Sequence, residues 1–283
     1  MAATSIEWCD HSINPIRARL KGTDKVGHYC EKVASGCANC YASRMQPRFS
    51  MPQFQSSKFG MPESIEIFLD ESKLAEVVAR KKPTKYFWCD MTDIFGRWVT
   101  TEMHKRCIEA VDASPQHVHL WLTKRLKYAP NYLALAGQWI PRKTMWLGAS
   151  VSNQRDLNEC IYGCGAEWNA LGEVVGIRFL SIEPLVSEID FDQAPAWSRY
   201  IDWVIVGGES GPNARPCQIE WIAKIVDQCS SAGIPCFVKQ IGSKPIEDTP
   251  IGVGDLAITT AKGNDPNEWP RRLRVRQMPG DEL

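Results

Sequence analysis

The sequence predicts an α/β protein built as a complete or partial TIM-type (β/α) barrel. From about residue 84 onward, apolar runs rich in β-forming residues alternate with helical patterns, which indicates βαβ units and a parallel sheet. Polar side chains follow nearly every apolar run, as an active site at the converging strand ends of a barrel requires. A doubly wound sheet also binds ligands beyond its carboxyl ends, but it does not need polar groups on nearly every strand.

The predicted strands and helices follow in order along the chain. A first strand is expected at residues 5–9. Later strands are expected at 86–89, 117–122, 145–151, 177–182, 203–206 and 236–238. Helices are expected at 40–45, 101–113 and 219–232, the last ending before Gly233 and Pro235, which form a helix-stop signal.

The length of 283 residues fits one large α/β domain or two smaller ones. We predict a single barrel domain over residues 1–283, since the alternating pattern continues without a second domain. Residues 46–63, rich in Pro, Met, Phe and Ser, predict a long insertion or lid. Residues 262–283 predict an irregular C-terminal extension.

The composition restricts the class of protein. Formal net charge is zero, so the chain lacks the global basic bias of many nucleic-acid binders, although basic runs occur at 17–21, 80–82 and 271–276. Eleven cysteines are many, but no leader or long apolar span is recognisable. We therefore expect a cytoplasmic protein with reduced thiols and no membrane association, rather than a secreted disulfide scaffold.

Three cysteines in HYCEKVASGCANCYASRM form the most informative motif of the chain. Cys30, Cys37 and Cys40 have the spacing C-x6-C-x2-C, so their thiolates can point at one centre. A structural zinc normally takes four ligands, whereas an iron–sulfur cubane held by three thiolates keeps one iron open for chemistry. The loop 28–41 is expected at the barrel mouth. Zinc with Cys9 or His28 as a fourth ligand is the metal alternative, and incidental buried cysteines are the non-metal one.

Candidate ligand-binding groups follow the predicted strands. Thr123 and Lys124 could hold a carboxylate or phosphate, or form a solvated rim. Asp90 and Asp93 could bind a ligand or act as a general base, or they could cap the following helix. The other strand-end candidates are Ser150, Ser152, Asn153 and Glu183.

A glycine-rich segment follows the apolar run 203–206. Gly207 and Gly208 would let a ligand approach the backbone closely, and Glu209 could accept hydrogen bonds from an amine or hydroxyls. A tight turn at the barrel rim is the alternative interpretation.

These motifs together resemble the phage Gp37/Gp68 family, a three-cysteine-motif group of phages and bacteria. The matching stretches, between residue 5 and about residue 279, are SIEWCDHSINP, CEKVASGCANCYA, DMTDIF, WLTKR, WLGASVSNQ, RFLSIEPL, WVIVGGESGPNARP, FVKQIG and KGNDPNEWPRRLRVRQMP. That family looks like a divergent branch of the radical S-adenosylmethionine (SAM) barrels. Common members space their cysteines C-x3-C-x2-C, so the first gap here is longer.

The resemblance implies two cofactors. A [4Fe-4S] cluster would bind to Cys30, Cys37 and Cys40, and SAM would chelate the open iron. Candidate cofactor-binding residues are Thr123, Lys124, Ser150, Ser152, Asn153, Gly207, Gly208 and Glu209. Candidate catalytic residues are Asp90, Asp93 and Glu183.

The activity implied is reductive cleavage of SAM to a radical that abstracts hydrogen from a substrate. Phage association and the basic runs suggest a nucleic-acid base, as in rearrangement or modification of phage DNA, with flavodoxin or ferredoxin as electron donor. DNA or a modified nucleotide would then be the partner. The alternative is a non-catalytic zinc- or cluster-containing nucleic-acid-binding module that acts with a partner protein.

Overall fold

A computed structural model describes residue 4 and residues 6–45, 55–56, 60–136, 139–249, 252–255 and 258–280. The strands of this part of the chain are β1 (His11–Ile13), β2 (Ile16–Leu20), β3 (Val26–Gly27), β4 (Cys30–Glu31), β5 (Gln55–Ser56), β6 (Ile65–Leu69), β7 (Lys85–Trp88), β8 (Val118–Thr123), β9 (Arg142–Val151), β10 (Val175–Leu185), β11 (Trp203–Gly208), β12 (Cys217–Gln218), β13 (Cys236–Gln240), β14 (Pro245–Thr249) and β15 (Gly252–Asp255). The α-helices are α1 (Tyr41–Met45), α2 (Glu71–Ala79), α3 (Thr101–Asp112), α4 (Ala129–Leu135), α5 (Gln154–Ile161), α6 (Gly165–Leu171), α7 (Trp197–Tyr200) and α8 (Ile219–Ser231).

The main sheet has seven strands in the order β1-β7-β8-β9-β10-β11-β13. The pairs β1–β7, β7–β8, β10–β11 and β11–β13 are parallel. The strand order follows the chain order, without the reversal that creates the switch point of a doubly wound sheet. Because β1 and β13 are its two edge strands, this sheet is a partial (β/α) barrel, and the predicted fold class is confirmed.

Three smaller sheets accompany the main one. In the order β3-β2-β6, both neighbours of β2 are antiparallel to it. In the order β12-β14-β15, the first pair is parallel and the second antiparallel. Strands β4 and β5 pair in parallel, with Cys30 opposite Gln55.

The chain divides into two compact units. The first comprises Met1–Val33, Cys40–Gly148 and Asn169–Gly176, and the second comprises Ala34–Asn39, Ala149–Trp168 and Ile177–Leu283. The single domain over residues 1–283 stays a prediction. Within the predicted lid at 46–63, residues 46–54 and 57–59 lie outside the described residues.

The core of the first unit contains the large aromatic side chains of β7 and β8. Trp88 and Trp121 are fully buried, with ring centres 5.9 Å apart. Trp88 Nε1 donates to His119 Nδ1 at 3.2 Å, and burial lowers the pKa of His119 to about 4. The imidazole is therefore neutral and accepts the hydrogen bond. This packing fixes the two strands whose ends carry Asp90, Asp93 and Thr123.

The core of the second unit surrounds β11, which is buried at all six positions, as expected for a parallel strand covered on both faces. Helix α8 buries an apolar stripe against β11 and β13. Residues 262–280 of the predicted extension carry short 3-10 helices at Pro266–Glu268 and Arg271–Leu273. Trp269 and Leu273 from this segment are buried.

The predicted strand at residues 5–9 is wrong for the residues described there. The chain turns at Glu7 and Trp8, and Cys9 N donates to Ile6 O. The first strand is instead β1, which pairs through its backbone with β7. Within the described residues, no helix is long and apolar enough to cross a membrane.

Candidate functional site

The cysteine loop, residues 28–41, has a different local structure at each cysteine. Cys30 lies on β4, Cys37 ends a 3-10 helix over Ser35–Cys37, and Cys40 directly precedes α1. Cys37 is buried, whereas Cys30 and Cys40 are partly exposed. Across the part of the chain that the structure describes, no group of three or more His, Cys, Asp or Glu side chains is arranged to hold a metal ion.

The two alternative fourth ligands for zinc have local protein contacts. The Cys9 thiol lies 3.9 Å from the backbone oxygen of Ile6. His28 Nδ1 lies 3.4 Å from the backbone oxygen of Ile16, and burial lowers the pKa of His28 to about 4. Neither side chain belongs to a metal-binding group among the residues described.

In the first unit, the residue after Cys30 anchors β4. Glu31 Oε1 accepts hydrogen bonds from Tyr29 Oη at 3.0 Å and from Arg97 Nε and Nη2 at 3.0 and 2.6 Å. Glu31 Oε2 accepts from Arg125 Nη2 at 3.1 Å. Both carboxylate oxygens of Glu31 therefore accept hydrogen bonds. Through this side chain, two arginines hold the residue next to Cys30.

Asp93 and Thr123 lie together at the ends of β7 and β8. Asp93 Oδ1 accepts from Thr123 Oγ1 at 2.7 Å and from Phe95 N at 3.0 Å, while Oδ2 accepts from Lys124 N at 3.1 Å. Asp93 and Thr123 are buried. These bonds tie the loops after the two strands together. The helix-cap interpretation is wrong for Asp93 and Asp90, because the cap of α3 is Thr100.

Asp90 contacts the residue that follows Cys40. Tyr41 Oη donates to the backbone oxygen of Asp90 at 2.6 Å and to its Oδ2 at 3.1 Å. Asn14 Nδ2 donates to Asp90 Oδ1. Burial raises the pKa of Asp90 and outweighs these hydrogen bonds, which lower it. The pKa of Asp90 is therefore higher than that of an exposed aspartate.

In the second unit, Ser35 of the cysteine loop is held at its side chain and its backbone. Asn153 Nδ2 donates to Ser35 Oγ at 2.8 Å, and Arg215 Nη1 donates to the backbone oxygen of Ser35 at 3.2 Å. Asn153 also caps α5, because its Oδ1 accepts from Asp156 N at 2.9 Å. The predicted cofactor-binding residue Asn153 thus contacts the loop itself.

Glu209 holds the same segment at Asn39. Asn39 Nδ2 donates to Glu209 Oε2 at 3.1 Å and to the backbone oxygen of Asn213 at 2.8 Å. Arg215 pairs with Glu209 through Nε at 2.9 Å and Nη2 at 2.7 Å. Burial alone would raise the pKa of Glu209, but the bonds from Arg215 and Asn39 lower it. We call Asn153, Glu209 and Arg215 the loop clamp.

Ser152 lies beside the loop at Gly36. Its side chain is buried, and within the described residues its Oγ has no hydrogen-bond partner. A Cβ on Gly36 would lie 2.3 Å from this oxygen. A side chain at position 36 would therefore displace either the Ser152 hydroxyl or the loop. Ser150 is buried within β9.

Gly207 and Gly208 are approached by the protein's own chain. A Cβ on Gly208 would lie 2.4 Å from the backbone oxygen of Ile241, and one on Gly207 would lie 3.2 Å from Gln240 Cγ. Both glycines are part of β11 and are buried. The absence of side chains at Gly207 and Gly208 lets Gln240 and Ile241, at the end of β13, pack closely against β11.

Glu183 lies near the carboxyl end of β10 and contacts the end of β13. Lys239 Nζ donates to Glu183 Oε1 at 2.6 Å, and Gln240 Nε2 donates to the same oxygen at 3.2 Å. Gln240 Nε2 also donates to the backbone oxygen of Gly208 at 2.9 Å. The structure therefore brings Glu183 and Lys239 together at the carboxyl ends of the strands.

Several residues in these contacts are missing from the sequence-based prediction. Ser35 and Asn39 lie inside the cysteine motif, where their polarity was the available signal. Glu31, Arg97 and Arg215 are charged residues of a type common on protein surfaces, and their spacing along the chain does not reveal their partners.

The basic runs contain arginines that bind within the protein. Arg17 pairs with Asp70 at 3.0 Å, and Arg272 pairs with Glu220. Arg276 donates to the backbone oxygens of β13 and lies over the ring of Trp269. These three guanidinium groups are therefore paired with groups of the protein itself in the structure described.

Comparisons with known proteins give one family. The family model described as Protein of unknown function (DUF5131) matches residues 3–272. No curated protein matches the chain. The resemblance to the Gp37/Gp68 group is not named by these matches and stays a prediction.

Solved structures with some similarity to the chain are forms of spore photoproduct lyase. A double mutant with bound AdoMet and dinucleoside spore photoproduct is 14% identical at a TM-score of 0.40, over 59% of this chain and 51% of that chain. A complex with dinucleoside spore photoproduct is 13% identical with the same TM-score and coverage. The chain spans about half the length of these lyases, and a likeness this weak assigns no activity.

Proposed function

The chain belongs to the family Protein of unknown function (DUF5131), and for it we propose the function of a radical SAM enzyme. Cys30, Cys37 and Cys40 would hold a [4Fe-4S] cluster with one open iron for SAM. The single observation that carries the proposal is the C-x6-C-x2-C motif itself. When bound, the cluster supplies one electron for the reductive cleavage of SAM.

The surroundings of the loop fit such a group in two respects. The loop offers three cysteine thiols outside any disulfide as donors, two of them partly exposed. The buried hydroxyl of Ser152, which has no partner among the described residues, adds an unused hydrogen-bond donor beside Gly36. Unsatisfied buried polar groups often indicate an absent ion, water or ligand.

The protein's own residues would position the cysteines. Glu31, held by Arg97 and Arg125, fixes the backbone at Cys30. The loop clamp fixes Ser35 and Asn39 on either side of Cys37. A loop anchored at these points has less conformational freedom to lose on binding a ligand, which favours binding.

The substrate that we propose is a nucleic-acid base or a modified nucleotide, in an isomerisation or other base modification. Asp90, whose pKa is raised by burial, would hold or deliver a proton. Lys239, paired with Glu183, would contact an anionic or carbonyl group of the substrate. Flavodoxin or ferredoxin would supply the electron.

The test is anaerobic reconstitution with iron and sulfide. We expect a brown protein with about four irons per chain, as for a [4Fe-4S] cluster. Cys37→Ala should lose most of this iron. Cys164→Ala is the matched control, because Cys164 is a partly exposed cysteine outside the motif, and it should load iron like the wild type.

A colourless protein that binds one zinc with high affinity would overturn the radical SAM proposal. That result would favour the alternative, a non-catalytic metal-containing nucleic-acid-binding module that acts with a partner protein. If the cluster forms, incubation with dithionite and SAM should yield 5′-deoxyadenosine in the wild type and none in Cys37→Ala. If the iron-loaded wild-type protein leaves SAM intact, the proposed radical SAM activity is excluded.

A further inference from the structure

Ser152 presents a buried hydroxyl with no function in the fold. Its side chain is 1% exposed, and its Oγ has no hydrogen-bond partner in the part of the chain described. Its backbone is well satisfied, since Ser152 N donates to Asp156 Oδ2 at 3.1 Å and its carbonyl accepts from Val186 N at 2.9 Å. An alanine would keep these backbone bonds without burying an unsatisfied hydroxyl. The fold alone therefore does not explain why a serine, and not an alanine, is buried at position 152.

The cysteine loop has a glycine, Gly36, at the point where the Ser152 hydroxyl approaches it. A Cβ on Gly36 would lie 2.3 Å from Ser152 Oγ and 3.5 Å from Ser152 Cβ. The hydroxyl therefore occupies the space that a side chain would take at the residue before Cys37. The shortest contact would be with the Ser152 oxygen, and a second tight contact of 3.2 Å would be made with Pro184 Cδ.

Hydrogen bonds to Ser35 hold the cysteine loop beside Ser152. Asn153, next to Ser152, donates to Ser35 Oγ at 2.8 Å, so residues 152–153 lie alongside residues 35–36. Arg215 holds the Ser35 carbonyl at 3.2 Å. The hydrogen bonds made by Ser35, which is next to Gly36, thus fix the position of the loop beside the Ser152 hydroxyl.

We propose that the Ser152 hydroxyl donates a hydrogen bond to sulfur of the group that the cysteine loop holds, next to Cys37. The inference rests on the proposed function, and it assigns Ser152 to the cluster rather than to SAM. A donor to a cluster sulfur stabilises the more negative, reduced state and raises the reduction potential.

The first experiment measures the midpoint potential of the reconstituted cluster by redox titration. Ser152→Ala should load iron like the wild type and show a more negative potential. Ser231→Ala is the control, because this exposed hydroxyl on α8 donates to the backbone of Asp227, and it should leave the potential unchanged. An unchanged potential in a loaded Ser152→Ala protein overturns this inference alone. A wild-type protein that forms no cluster overturns the proposed function with it.

The second experiment measures iron content alone. Gly36→Ala should reduce iron loading several-fold, because the new methyl group displaces the loop from Ser152. Combining it with Ser152→Ala removes the clashing oxygen but leaves the 3.2 Å contact with Pro184 Cδ, and it should restore part of the iron. A double variant that loads no more iron than Gly36→Ala would show that the hydroxyl does not determine the loop position, and would overturn the inference.

Discussion

At the scale of single residues, Glu209, a predicted cofactor-binding residue, holds the cysteine loop. Its carboxylate is 5% exposed and accepts from Arg215 and Asn39. Because hydrogen bonds to charged groups contribute about 1.5–3 kcal/mol, we expect Glu209→Gln to lower the free energy of unfolding by about 2 kcal/mol at pH 7. Urea unfolding measures this difference. Glu188→Gln is the control, since Glu188 is 57% exposed in its pair with Lys224 and should cost less than about 1 kcal/mol.

The pH dependence of the Glu209 effect has a definite sign. Its pKa is lower in the folded protein than in the unfolded chain, so its stabilisation is complete above the unfolded pKa and is lost as pH falls through the folded pKa. The difference in free energy of unfolding between the wild type and Glu209→Gln should therefore decrease below about pH 4.3, the ordinary pKa of glutamate. A gap that widens on acidification would contradict the assigned ion pair.

At the scale of elements, the C-terminal segment after β15 forms part of the core of the second unit. Trp269 is 1% exposed, its Nε1 donates to the backbone oxygen of Gly263 at 2.9 Å, and Arg276 lies 5.2 Å from its ring centre. We expect Trp269→Ala to lower the free energy of unfolding by about 3–5 kcal/mol, the usual cost of emptying a buried aromatic site. Trp139→Ala, at a site 36% exposed, is the control and should cost much less. Equal losses by chemical denaturation would show that the segment does not pack as described.

The elements that could be predicted are those whose apolar pattern reflects burial. β11 reads as a continuous apolar run because both its faces are covered, and α8 has a clear apolar stripe with a stop signal. β1 was missed because a three-residue edge strand is formed by backbone pairing with β7 and needs few apolar side chains. The short strands β3, β4, β5 and β12 were also missed, since a two-residue strand carries no periodicity.

At the scale of the whole molecule, a sequence can show which residues follow strands but not which side chains meet. The position after a strand predicts Asn153 and Glu209 as site residues, and both contact the cysteine loop. Their partners in the loop, Ser35 and Asn39, lie 118 and 170 residues away along the chain. Such pairings depend on tertiary distances that neither charge nor spacing encodes.

Across the whole chain, the eleven cysteines differ in burial, and chemical labelling can test which of them are the proposed cluster ligands. Burial raises the pKa of Cys89, Cys107, Cys160, Cys217 and Cys229, so these thiols are protonated and shielded. In the native protein without iron, maleimide labelling read by peptide mass spectrometry should modify Cys30, Cys40 and Cys164 first, because they are partly exposed. After reconstitution, Cys30 and Cys40 should be protected together while Cys164 reacts as before. Continued labelling of Cys30 in an iron-loaded protein would remove it from the ligand set, because a thiolate bound to iron cannot act as a nucleophile at the same time.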